Sequence, residues 1–357
     1  MTWPRDLADR LGVRLPIFLA PMAGGPSTPA LAAAVSEAGG LGALGCGYSA
    51  PEQIRAEVEE VRRRTQAPFA VNLFAPEPHD WPPPAEPLAR AASRLQAYRD
   101  ELGLGPVGDL PPPPDFDAQL ELVLELRPRA LSITSGALPP ARVKTLHDAG
   151  ILVMATATTP AEAEVLEASG VDAVVTQGAE AGGHRANFLA PGERSFIGTM
   201  ALVPRVADAV KVPVVAAGGI MDGRGIAACL ALGASAVSLG TAFLACDESG
   251  AAAAHKAALR AAPGDDATGL TRAFSGKPAR GLVNRFMREQ AASADVLPYP
   301  AQNQLTAGLR REAARQGRSD LMSFWAGQGA PLARGGPAGR LLAALAEEAE
   351  AALRRLG

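Results

Sequence analysis

Residues 151–177 read ILVMATATTPAEAEVLEASGVDAVVTQ, and this stretch decides the fold. Ile151–Thr156 is a short apolar run of strand length. Thr159-Pro160 suits a helix start, because a proline in the first turn loses no needed N–H. Pro160–Ser169 is rich in Ala, Leu and Glu, and Gly170 is a helix stop. Ala173–Gln177 is a second strand, apolar on both faces at Val174-Val175, as a strand covered on both sides must be. Strand, helix and strand in this order predict a parallel pair joined by a crossover helix.

The same alternation runs outward in both directions. Ile17–Ala20, Leu41–Gly45, Phe69–Phe74, Ala130–Thr134, Pro213–Gly218 and Ala236–Thr241 complete a set of eight strand candidates. Helical segments Pro29–Ala38, Pro51–Thr65, Pro139–Ala149 and Gly223–Leu232 lie between them, several ending in glycine. Eight such units in about 245 residues predict an α/β fold, a (β/α)8 TIM barrel, whose usual size is about 250 residues. The alternative is a doubly wound open sheet. Two segments exceed a minimal barrel. Residues 76–114 form a Pro-rich insertion with a helix expected around Ala85–Leu102. After the eighth strand, residues 251–339 are expected to form a helical cap over the substrate, and 340–357 a closing helix. Residues 1–250 would then be the barrel proper. Both additions fall on the face where barrels keep their active sites.

Composition narrows the partners. The chain has 357 residues, 48% hydrophobic and 20% charged, which is globular. Lys+Arg 34 against Asp+Glu 37 leaves a net charge of −3, so nothing here neutralises a nucleic-acid backbone. Arg62-Arg63-Arg64 follows Glu57, Glu59 and Glu60 and reads as a solvated helix face. Cys46, Cys229 and Cys246 are too far apart for a zinc knuckle or a disulfide scaffold and suit a reducing cytoplasm. Residues 225–246 carry no charge, but Gly233, Ser235, Ser238 and Gly240 interrupt them. The expectation is helix, turn and strand and no membrane span.

Two glycine strings mislead. Gly40-x-Gly42-x-x-Gly45 follows a helix and lies in a strand, and Gly103-x-Gly105-x-x-Gly108 contains Pro106 and no flanking strand, so neither is a dinucleotide fingerprint. Gly218-Gly219 and Gly240-Thr241 end the seventh and eighth strands, where barrels commonly bind phosphate. They could equally serve tight turns alone.

His79, His147 and His255 sit among polar or insertion residues and are expected at the surface. His184 instead follows the sixth strand in Gln177-Gly178-Ala179-Glu180-Ala181-Gly182-Gly183-His184-Arg185. Its imidazole could accept a proton or hold a developing anion. No second His or carboxylate stands at metal-ligand spacing, so no metal is expected. Asn72 and Gln177 are amides in strands facing the same mouth, able to serve a heteroaromatic edge or a neighbouring backbone. Together these groups suggest a phosphorylated flat cofactor, and residue chemistry alone does not name the ring.

Ala20-Pro21-Met22-Ala23-Gly24-Gly25, Val71-Asn72-Leu73-Phe74, the Gln177–Arg185 string and Ala216-Ala217-Gly218-Gly219-Ile220 resemble FMN-dependent nitronate monooxygenases, formerly 2-nitropropane dioxygenases. Pro278-Ala279-Arg280-Gly281, Tyr299-Pro300 with Gln302-Asn303, and Trp325-Ala326-Gly327-Gln328-Gly329 resemble the bacterial class I members. The resemblance implies FMN held by Met22, Asn72, Gln177, Gly182 and Gly219, with Ser238, Leu239, Gly240 and Thr241 on the phosphate. It implies His184 as the catalytic residue and Tyr299 and Thr134 as substrate-lining residues. The implied reaction oxidises an alkyl nitronate such as propionate 3-nitronate with O2, through a flavin semiquinone, to a carbonyl compound plus nitrite or nitrate. A monomer or homodimer is expected.

Two departures stand out. Ala186 replaces an expected glycine, and Ser132-Ile133-Thr134-Ser135-Gly136 replaces bulkier residues beside the flavin, giving a smaller, more hydroxylated wall. The competing readings are an NAD(P)H-dependent flavin reductase of enoyl-thioester or quinone type on the same barrel, and a flavin-binding protein without turnover.

Overall fold

The computed structural model describes residues 3–77, 81–189, 192–262, 264 and 267–356, so His79 lies outside the described residues. In chain order the strands are β1 (Ile17–Leu19), β2 (Gly42–Gly45), β3 (Phe69–Phe74), β4 (Ala130–Thr134), β5 (Leu152–Ala157), β6 (Ala173–Gln177), β7 (Gly183–His184), β8 (Val214–Ala217), β9 (Ala236–Leu239), β10 (Thr268–Thr271) and β11 (Ala279–Leu282). Eight of them form one sheet in the order β1-β9-β8-β6-β5-β4-β3-β2, every pair parallel. A bridge from Phe18 to Leu41 brings its two ends together. The expected (β/α)8 barrel is therefore the fold, and its seventh and eighth strands are β8 and β9.

The local chemistry explains the alternation. Thr28 and Thr159 accept from Leu31 N and Glu162 N at 3.0 and 3.2 Å, capping helices Pro29–Glu37 and Pro160–Ala168. Gly170 takes φ 93° and donates to Glu167 O, a left-handed stop that an L side chain resists. Residues 225–246 fold as the end of helix Gly223–Ala231, then β9, then a short helix Thr241–Leu244. Among the described residues no helix is long and apolar enough to cross a membrane.

Four features went unread in the sequence. A short helix, Asp6–Leu11, plugs the barrel floor with Leu7 and Leu11 against Phe18, Ala43, Ala70 and Val215. Helices Phe116–Leu126 and Thr199–Ala209 complete the outer ring, the second with Pro204 inside it. Beyond β9 the chain is mostly helical, yet β10 and β11 join β7 in a separate antiparallel sheet. Finally, His255 is buried and not at the surface. Helix Ala253–Arg260 lays its His255 and Leu259 face inward, and the imidazole stacks on Phe324 at 4.9 Å. His147 is exposed and pairs with Asp172 at 2.8 Å.

The closing helix, Ala338–Leu356, packs against helices Pro29–Glu37 and Gly223–Ala231. In the insertion, helix Ala85–Glu101 packs on the segment after β9. Tyr98 meets Phe286 edge-on at 5.1 Å, and its hydroxyl donates to Glu289 Oε2 at 2.8 Å.

Candidate active site

The barrel mouth is built from the C-terminal ends of its strands. At the end of β6, Gln177 turns its amide onto the following loop. Its Nε2 donates to His184 O at 3.0 Å, and its Oε1 accepts from Ala186 N at 3.0 Å and Arg185 Nη1 at 3.2 Å. Arg185 is buried and binds carbonyls of Gln177, Gly178 and Ser195. Burial pulls its pKa down to about 10, which leaves it charged at neutral pH. The loop carrying His184 is thus held at both ends, and its strand partner across β11 is Ala279.

The His184 ring sits between Trp325 at 5.5 Å and Tyr299 at 6.1 Å. Its Nε2 is buried and makes no hydrogen bond among the described residues. Burial, then the nearby Lys277 and Arg310 cations, push the imidazole pKa down to about 3, so it is neutral at physiological pH.

Across the mouth, Asn72 pairs in register with Ser132. Its Nδ2 lies 3.0 Å from Ser132 O and 3.0 Å from Thr134 Oγ1. The next residue, Ser135, takes φ 66°, which presents its hydroxyl to Lys277 Nζ at 3.0 Å. Lys277 also pairs with Glu77.

The glycine side is equally specific. Gly218 and Gly219 take φ 111° and 73°. Behind them Glu180 accepts from Thr199 N with both carboxylate oxygens, at 3.0 and 2.9 Å, and the Thr199 hydroxyl is 2.9 Å from Gly218 O. Thr241 Oγ1 accepts from Gly327 N at 2.9 Å, leaving its own proton to donate. Among the described residues nothing accepts from the backbone N–H of Gly219, Gly240 or Thr241. Ser238 is buried in β9, and Leu239 turns its side chain into the core with Leu19 and Phe243. Met22 donates its N–H to Ser27 Oγ at 2.8 Å. Gly182 is needed by its neighbour: a Cβ there would stand 2.5 Å from Ala326 C and 2.6 Å from Gly327 N.

A cavity of about 730 Å³ opens beside Tyr299 and is lined by Glu77, Ser135, Asn187, Arg272 and Lys277. Of the residues expected at the site, Tyr299 is the one that lines it. The three cysteines are buried and unpaired, and burial pushes Cys229 and Cys246 up to about 12 and Cys46 higher still, so none is a nucleophile at neutral pH.

Sequence reading missed Tyr48, Glu180, Lys277 and Arg310 as site residues. One signal was available for Arg310. Asn303, Thr306 and Arg310 recur at helical spacing on helix Ala301–Arg315, a polar stripe on one face. Lys277 and Tyr48 lie in loops, where spacing says nothing.

A family model described as nitronate monooxygenase matches residues 6–348. A nitronate monooxygenase from Pseudomonas aeruginosa is 48% identical over 95% of this chain and 97% of its own. A probable nitronate monooxygenase from Bacillus subtilis is 43% identical over 91% and 92%. A crystal structure of nitroalkane oxidase from Streptomyces ansochromogenes superposes with a TM-score of 0.91, at 44% identity, covering 98% of this chain and 99% of that one.

Proposed function

The chain belongs to the nitronate monooxygenase family, and from that premise we propose that it oxidises alkyl nitronates with bound FMN and O2, giving a carbonyl compound plus nitrite or nitrate. The groups at the mouth suit FMN. Unclaimed backbone donors at Gly219, Gly240 and Thr241, together with the Thr241 hydroxyl, suit a phosphate, alongside Ser238 and the Leu239 backbone. Gln177 retains one amide proton after its bond to His184 O, and among the described residues nothing donates to Asn72 Oδ1. Both suit the polar edge of a flat ring, near Met22 and the Gly182 turn. Bound FMN supplies the electron acceptor for the nitronate and the route onward to O2. In this reading residues 1–250 carry the cofactor, 251–339 close over the substrate and 340–357 seal the barrel.

The observation that carries the reading is His184, a neutral imidazole whose Nε2 is buried and unpartnered between Tyr299 and Trp325. A group whose protonated form is destabilised this far is a poor base toward a neutral nitroalkane. It serves better as an Nε2–H donor to the nitro group of a pre-formed nitronate. Tyr299 and Thr134 then border the substrate, and Trp325 and Tyr299 exclude water from the histidine.

The test is to mix FMN-loaded protein anaerobically with propionate 3-nitronate and follow the visible flavin band. Rapid loss of the oxidised spectrum with the nitronate, and none with NADH, is expected. Reduction by NADH alone would make the protein a reductase. No change with either would leave a flavin-binding protein without turnover.

A further inference from the structure

Arg310 is a half-buried cation that no carboxylate pairs with among the described residues. It lies on helix Ala301–Arg315 and donates to Asn303 O at 2.9 Å, Asn303 Oδ1 at 2.8 Å and Thr306 Oγ1 at 3.2 Å. Burial lowers its pKa, but a guanidinium keeps its proton in proteins. The other cation near His184 is different: Lys277 is matched to Glu77 and hydroxyl-bound by Ser135.

Two further polar atoms near Arg310 are unsatisfied. The Tyr48 hydroxyl is buried beside Tyr299 but makes no well-formed hydrogen bond among the described residues, and its ring is edge-on to Phe74 at 5.1 Å. Burial pushes its pKa up to about 12, while Arg310 acts in the opposite sense. His184 Nε2 is the second, and Arg310 is close enough to lower its pKa. A half-buried charge without a carboxylate and two buried, unpaired polar atoms are each costly, and a single anion among them would relieve all three. The planar fork of a guanidinium matches a planar two-oxygen anion.

We propose that Arg310 is the anchoring cation for the substrate anion, with Tyr48 as a second donor. This rests on the nitronate reading and deepens it: the fixed charge that selects an anion sits on the cap helix, while neutral His184 adds a hydrogen bond. The two-oxygen anion is either the nitronate group itself or a carboxylate on the same substrate.

The test compares ethyl nitronate with propionate 3-nitronate on the holoenzyme and its R310Q, R310K and Y48F variants. With R310Q the loss is expected in KM, by about 10- to 100-fold, more than in kcat, with bound FMN unchanged. R310K recovers part of it, and Y48F raises KM by about 2- to 10-fold. A loss with both substrates assigns Arg310 to the nitronate group, and a loss with propionate 3-nitronate alone assigns it to the carboxylate. An unchanged KM for both overturns the proposal. So does a fall in FMN content or melting temperature that R310K shares equally, the mark of a structural role. Quenching of tryptophan fluorescence by propionate and by nitrate is read in parallel and needs no turnover. If the parent protein oxidises neither nitronate, the functional reading fails, and weaker anion binding in R310Q still supports the anion site. Equal anion binding in R310Q and parent overturns it.

Discussion

His184 faces Ala279 across the antiparallel ladder of β7 and β11, so the histidine at the barrel mouth is held in register by the cap. Backbone bonds reinforce this. Arg185 N donates to Pro278 O at 2.8 Å, and Gln328 N donates to Glu180 O at 2.9 Å. The loop after β6 is therefore sandwiched between the barrel strand that launches it and the cap strand that receives it. A displacement of β11 would therefore carry the imidazole with it.

His184→Asn is expected to keep stoichiometric FMN, because no His184 side-chain atom bonds the glycine turns. Turnover of a pre-formed nitronate should fall about 10- to 100-fold, the worth of a hydrogen bond to a charged group. A fall of about 10²–10⁴-fold would instead mark proton transfer. In the parent protein kcat/KM for the nitronate should show no imidazole ionisation between pH 5 and 8, since the His184 pKa lies near 3. An ionisation near 6.5 that disappears in the variant would contradict the neutral-donor role.

Stability should rise with pH between about 5 and 6.5. His184 and His255 have folded pKa values pushed down to about 3 and 4 by burial, against an ordinary value of 6.5. In that window the unfolded chain binds protons that the folded protein refuses, so acidification favours unfolding. Each histidine contributes a slope of up to about 1.4 kcal/mol per pH unit. The depressed carboxylates, such as Glu101 held near 2 by Arg285 and Arg318, add their loss only below about pH 4.5. His255→Asn should reduce the slope of unfolding free energy against pH to near half. An unaltered slope in urea titrations at several pH values would show that His255 does not titrate this way.

The barrel was legible because its signals are local. Short apolar strands recur eight times, prolines open four of the helices between them and glycines such as Gly170 close several, and each of the eight barrel strands begins and ends within two residues of its expected place. What was not legible depends on partners distant in sequence. β7 is two residues long and exists through β11, almost a hundred positions away. His255 stands between Ala254 and Lys256, yet Leu259 one turn on sets which face is buried. Asn72 could be picked out as a polar residue in an apolar strand, but its acceptors, Ser132 and Thr134, follow from the β3–β4 register. Arg310 was hidden for the same reason: its neighbours Tyr48 and His184 come from two separate barrel loops.

Gly240→Val should lose the cofactor while keeping the fold. A Cβ at Gly240 meets Ala20 Cβ at 3.5 Å and Met22 Sδ at 3.8 Å, ordinary contacts that the protein tolerates. The added branches instead project where a phosphate approaches the Gly240 and Thr241 N–H groups. The expected result is a native far-ultraviolet circular dichroism spectrum with flavin absorbance per chain well below that of the parent. Full FMN occupancy would move the phosphate away from this turn.

Gly182→Ala is the opposite case. Gly182 has no positive φ to protect, yet an added methyl would stand 2.5 Å from Ala326 C and 2.6 Å from Gly327 N, both backbone atoms. Gly327 N in turn donates to Thr241 Oγ1 at 2.9 Å, so pushing residues 326–327 away loosens the phosphate turn as well as the wall carrying Trp325. Overpacking against backbone costs about 1–3 kcal/mol. The variant should therefore melt lower, bind FMN more weakly and lose turnover together, since the cap that it displaces also holds His184. Thermal melts with and without excess FMN separate the two effects. An unchanged melting temperature and full FMN binding would mean that the cap yields at no cost, and that the contact between Gly182 and residues 326–327 does not position the site.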